Sequence, residues 1–179
     1  MALTATLYTF TLQLADMDRA VYADFELRVA QQPSETAEFM LTRVLAYCLE
    51  FEEGIALTEG VAAVDQPAVW VRDLTGSVTA WIEVGAPDAD RVHRGSKLAG
   101  RAAVYTHRDP AQLLAQYAGR KIHRAAEVPV YSFDRGFLSE AAKRLQRRSK
   151  LAVSVTERQL YLDIDGHSMS TAITEDRAG

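Results

Sequence analysis

Between residues 67 and 85 the chain has room for little except two strands folded back on each other. Val69, Trp70 and Val71, then Val78, Trp81, Ile82 and Val84, supply the β-branched and aromatic side chains that suit a pleated, half-buried surface. Between them Asp73-Leu74-Thr75-Gly76 places Asp first and Gly fourth, the composition of a type I turn. Glu83 then stands on an otherwise apolar strand, where a carboxylate needs a charged partner, a metal or water.

The segments around this hairpin follow the same logic. Residues 2–14 mix Thr with Leu, Tyr and Phe as a strand, and Asp16-Met17-Asp18 makes a turn. Ala23, Phe25, Leu27 and Val29 then alternate with charged residues, completing an N-terminal β-hairpin. Ser34 is the expected cap of a first helix running to about Glu50, with Met40, Leu41, Val44, Leu45, Cys48 and Leu49 as its apolar stripe. Glu38 falls at the edge of that stripe, and Arg43 on the side away from it. Residues 52–66 read as a connection.

After the central hairpin, Pro87-Asp88 opens a second helix to about Gly100, and Ala102–Thr106 is a short buried strand. Asp109-Pro110 caps a third helix, residues 127–131 form a strand, and residues 137–148 a fourth helix with a basic end. Residues 151–155, 159–164 and 168–173 make a C-terminal β-meander, with Asp165-Gly166 as its second turn and a frayed tail from Thr174. This order predicts one mixed α/β domain over 1–179, with a mixed central sheet flanked by helices.

A length of 179 residues suffices for a sizeable core, and 48% hydrophobic with 25% charged residues is ordinary for a globular chain. The net charge of -4 argues against a basic nucleic-acid coat but leaves room for a local basic groove. Cys48 is the only cysteine, so no intramolecular disulfide forms, in keeping with a reducing compartment. No leader pattern and no run long enough to span a bilayer is present, so a cytoplasmic protein without membrane contact is expected. Walker and G-x-G-x-x-G patterns, zinc spacings and a serine-nucleophile elbow are all missing.

Four strings carry a resemblance. They are Pro33-Ser34-Glu35-Thr36, residues 70–76, Trp81-Ile82-Glu83-Val84-Gly85-Ala86-Pro87-Asp88, and residues 7–19. Together they resemble the YaeQ family of bacterial proteins, whose function is unsettled, over nearly the whole length. The resemblance implies a PD-(D/E)XK nuclease-like core. In such nucleases an Asp on one strand and an acid on the next hold Mg²⁺, and a Lys two residues after the second acid helps activate water. Mg²⁺ takes hard oxygen ligands and polarises the phosphoryl oxygen.

Hairpin geometry bears on that implication. With the turn at Thr75-Gly76, Glu83 faces Ala68 and Asp73 faces Val78, roughly 17 Å away along the strand. Asp73 is then a turn residue, and a metal ligand only if the register differs. The implied Asp and Lys positions hold Ala68 and Gly85. Two expectations follow. In one, the scaffold serves a non-catalytic or weakly catalytic binding or regulatory role, with basic stretches 91–101 and 143–150 meeting nucleic-acid phosphates, or with a protein partner. In the other, a rearranged Mg²⁺-dependent nuclease uses Glu83 as ligand, Glu38 or Asp65 as second acid, and Lys97 as charge stabiliser, with Arg91 or Arg94 in reach of the same role.

Overall fold

Strict alternation builds the first pair of strands. In β1 (Thr6–Asp16) Phe10, Leu12 and Leu14 are buried while Thr11 and Gln13 are exposed, and β2 (Val21–Gln31) buries Leu27 and Val29. They pair antiparallel with Phe10 opposite Leu27, the expected hairpin. The structure, a computed structural model, describes residues 4–59 and 65–179; residues 2–3 of the expected strand and 60–64 of the expected connection lie outside them. Next come α1 (Ala37–Leu49), β3 (Ile55–Leu57), β4 (Val69–Arg72), β5 (Val78–Val84), α2 (Ala89–Leu98), β6 (Arg101–Thr106), α3 (Pro110–Tyr117) and β7 (Pro129–Ser132). The chain ends with α4 (Arg135–Arg144), β8 (Arg148–Thr156), β9 (Gln159–Ile164), β10 (His167–Ala172) and β11 (Thr174–Arg177).

Two mixed sheets replace the single central sheet expected. One runs β10-β9-β8-β1-β2 and the other β11-β7-β6-β5-β4-β3. The N-terminal hairpin and the C-terminal meander join through a parallel β1–β8 pair, with Leu12 beside Leu151 and Leu14 beside Val153. Both strands put their apolar residues on one face, so pairing them makes a continuous buried surface. In the second sheet β5, β6 and β7 are mutually parallel.

Helix α1 lies between the sheets and is buried along nearly its whole length, from Met40 to Ala46 without a break. A helix covered on all sides needs apolar residues all round, and Arg43 breaks that rule. Expected to face away from the stripe, it is 1% exposed. Its Nη2 lies 3.0 Å from Glu35 Oε2 and donates to the Ala30 carbonyl at 2.7 Å. Burial pulls its guanidinium below its usual pKa, and Glu35 opposes that shift. Drawing Glu35 inward also moves the start of the helix. Thr36, not Ser34, is the cap, accepting the Phe39 N–H at 3.1 Å.

Two further differences sit near the C-terminus. The fourth helix stops at Arg144, and Arg148 opens β8, because alternation over Ser149, Leu151, Val153 and Val155 takes over there. The tail is not frayed. β11 pairs antiparallel with β7, and Ala178 donates to the Val128 carbonyl at 2.9 Å, which covers an edge that would otherwise expose unpaired backbone groups.

A second core packs α2 and α3 on the other face of the β11–β3 sheet, around Trp81, Val104, Tyr117 and Val130. Gly95 of α2 rests on the Trp81 indole, and a Cβ there would overlap the ring. The helix can therefore lie close against β5. Among the described residues no helix is long and apolar enough to cross a membrane.

Candidate functional site

Along β5 the side chains divide between two faces. Ala80, Ile82 and Val84 enter the core around α1, whereas Trp81 enters the core under α2 and α3. Glu83, two residues after Trp81, shares its face and is 3% exposed. The register pairs Val69 with Ile82 and Trp70 with Trp81, so one step further Ala68 lies beside Glu83, as expected.

The partner of Glu83 comes from α2. Asp88 caps that helix, its Oδ1 accepting the Arg91 N–H at 2.8 Å. This fixes the first turn against the end of β5. Arg91 and Gly95 are four residues apart on one helix face, and Trp81 and Glu83 two apart on one strand face. The close approach at Gly95 and Trp81 therefore carries Arg91 onto Glu83. Arg91 Nε donates to Glu83 Oε2, and its Nη2 donates to the Gln66 carbonyl. Burial raises the Glu83 pKa, with Arg91 as the main opposing influence and Arg94 a lesser one. Tyr117 closes the far side by donating to the Pro87 carbonyl at 2.8 Å; burial raises its pKa, and Glu83 and Asp88 add to the shift.

The other expected site residues do not gather here. Asp73 belongs to the turn. Its Oδ1 accepts the Thr75 and Ser77 N–H groups at 2.9 and 3.0 Å and the Thr75 hydroxyl at 2.6 Å. The Thr75 hydroxyl bond, with the Ser77 amide next, holds its carboxyl below the usual range. An irregularity between Val71 and Arg72 pairs Arg72 with Val78, so Asp73 faces Ser77, one residue from the expected position. That leaves it roughly 20 Å along the strand from Glu83.

Lys97 is exposed, six residues beyond Arg91 and roughly 9 Å further along the helix. Asp65 is exposed too, but it precedes Gln66, whose carbonyl Arg91 holds, so its backbone is close to the site. Glu38, half-buried on α1, lies on the opposite face of the sheet, in a cleft with His107. Among the described residues, no group of three His, Cys, Asp or Glu side chains is arranged to hold a metal.

Two mixed sheets with α1 and α4 between them, and an acid paired to arginine at the end of a parallel strand, define the class of fold and site. The YaeQ protein family model matches residues 1–173, and the chain belongs to the YaeQ family. It is 31% identical over 175 residues to a protein of Escherichia coli named "Uncharacterized protein YaeQ", covering 97% of each chain. The crystal structure of YaeQ protein from Pseudomonas syringae has a TM-score of 0.88 at 30% identity, covering 98% of both chains. That of YaeQ protein from Xanthomonas axonopodis pv. citri has a TM-score of 0.89 at 29% identity, covering 98% of this chain and 100% of that one.

Proposed function

We propose that the chain binds nucleic acid without hydrolysing it, on a scaffold related to the PD-(D/E)XK nucleases. The observation that carries this reading is the Glu83–Arg91 pair. Where a nuclease of that kind would hold Mg²⁺ between two acids, this chain has one acid, an alanine beside it, and a guanidinium on the carboxylate. These residues do not fit the metal. A guanidinium stays protonated and generates no hydroxide, and this one is committed to Glu83 and the Gln66 carbonyl, so phosphates would be met by other basic side chains.

Basic side chains on the same half of the molecule support the binding role. Arg94 and Lys97 are exposed on α2, and Arg101, Arg124 and Arg177 line one cleft just beyond it. Arg124 and Arg177 pair with the exposed Glu127 and Glu175, at 3.8 and 2.5 Å. Exposed pairs of this kind contribute little, so exchanging them for phosphates costs little.

Binding of single- and double-stranded DNA or RNA is therefore expected to weaken steeply between about 50 and 200 mM salt. The double variant Arg124→Gln/Arg177→Gln should reduce the slope of log K against log salt by about 2, one for each cation removed. Binding that ignores salt, or none at low salt, refutes this reading and favours a protein partner. One feature supports the alternative, a rearranged Mg²⁺-dependent nuclease: Arg91 ties Glu83 to the carbonyl next to Asp65. Cleavage by wild type in Mg²⁺ would establish it.

A further inference from the structure

The three parallel strands β5, β6 and β7 end together, and open α/β sheets bind ligands beyond the carboxyl ends of such strands. On the α1 side of this edge lies a cavity of about 470 Å³, lined by Thr36, Glu38, His107, Arg135, Gly136 and Ser139. That volume is in the range of small-molecule sites.

These side chains contrast with the Glu83 pair. Among the described residues, the Glu38 carboxylate, the His107 ring, the Arg135 guanidinium and the Ser139 hydroxyl make no hydrogen bond or ion pair to protein. His107 Nδ1 is shielded from solvent with no hydrogen-bond partner at all. Its ring is held edge-on against Phe39, at 5.6 Å and 86°, so it is positioned although its nitrogens are not bonded. Gly85, with φ of +96°, keeps this contact open, since a Cβ there would come within 2.8 Å of the Phe39 ring. Burial pulls the His107 pKa below its usual value; Arg108 and Arg135 add to that shift and Glu38 opposes it. Asp134, the nearby cap of α4, is committed to the Phe137 N–H at 2.9 Å. The Gly136 N–H, in the first turn of α4, is left without an intrahelical partner.

We infer that this cavity binds a phosphomonoester on a hydroxyl-bearing sugar, with the phosphate on Arg135, Ser139 and the Gly136 N–H. Glu38 accepts from a sugar hydroxyl, and the His107 Nε2–H donates to the ester oxygen between them. An arginine fork beside main-chain N–H groups suits a phosphate dianion, and a carboxylate within the same cavity suits a hydroxyl donor. The phosphate comes either from a free nucleotide or from the 5′ end of a nucleic acid. The inference does not rest on nucleic-acid binding elsewhere on the surface, so either can fail alone.

Calorimetric titration of the full chain with adenosine monophosphate, adenosine, ribose 5-phosphate and inorganic phosphate tests it. A 5′-phosphorylated dinucleotide and its unphosphorylated form separate the two sources. Saturable binding of the sugar phosphates is expected, and none of adenosine. Arg135→Gln and Glu38→Gln should each weaken the sugar phosphates about ten-fold, and only Arg135→Gln should weaken inorganic phosphate. Arg135 is exposed and Glu38 half-buried, so both variants are expected to fold, which circular dichroism checks. No binding at millimolar ligand, or binding that both variants leave unchanged, overturns the inference. Equal affinity for inorganic phosphate and ribose 5-phosphate overturns its sugar half.

Discussion

Arg43→Met is expected to lower stability by about 3–5 kcal/mol, the cost of stranding a buried charge. The side chains of Arg43 and Glu35 are 2% and 0% exposed, so water cannot replace the lost partner. The Ala30 carbonyl on β2 also loses its donor, which loosens the tie between α1 and the first sheet. The double variant Glu35→Leu/Arg43→Met should recover most of the loss, since apolar side chains of similar volume often replace a buried pair at little cost. Urea unfolding of wild type, both single variants and the double variant measures the coupling directly. Additive losses would mean that the two side chains act independently, contrary to the geometry.

Arg91→Met should cost about 3 kcal/mol near neutral pH, for the same reason, at a site on the other face of the second sheet. Here the loss should depend on pH. Burial already raises the Glu83 pKa, and Arg91 is the main influence holding it down. Without Arg91 the folded pKa rises further above the unfolded value of about 4.3. Protonated Glu83 is tolerated and ionised Glu83 is not. The variant should therefore nearly match wild type at about pH 4 and fall behind as pH rises through the folded pKa of Glu83. Unfolding midpoints at several pH values test this. A deficit constant from pH 4 to 7 would mean that Glu83 is not the group left uncompensated.

Local chemistry made much of this architecture readable from the chain. Asp88 and Asp109 cap helices where they were expected, and Ala68 lies beside Glu83 as expected, the irregularity after Val71 making up the one-residue difference at the Asp73 turn. The split into two sheets was not readable, because it depends on β1 choosing β8, more than 130 residues away, and a strand pattern does not name its partner. Arg43 was hidden for a related reason. A helix that lies between two sheets has no wet face, and period alone cannot show that.

The site divides in the same way. Glu83 was identifiable as an acid on an apolar strand, and helix α2 was identifiable as the source of its cation. Lys97 and Arg91 differ in which face of α2 they occupy and in how far along it they lie. The signal that separates them is a matched spacing: Arg91 and Gly95 four apart on the helix, Glu83 and Trp81 two apart on the strand. Glu38 was legible as a carboxylate at the edge of a stripe, but its cleft is made by His107 and by the start of α4, both far away in sequence.

The most direct test is a cleavage assay. Wild type and Glu83→Gln are incubated with labelled single- and double-stranded DNA and RNA in Mg²⁺ and in Mn²⁺. Both proteins should give the same background, while wild type still binds the strands at low salt. Metal-dependent cleavage by wild type that disappears in a folded Glu83→Gln variant would contradict the account.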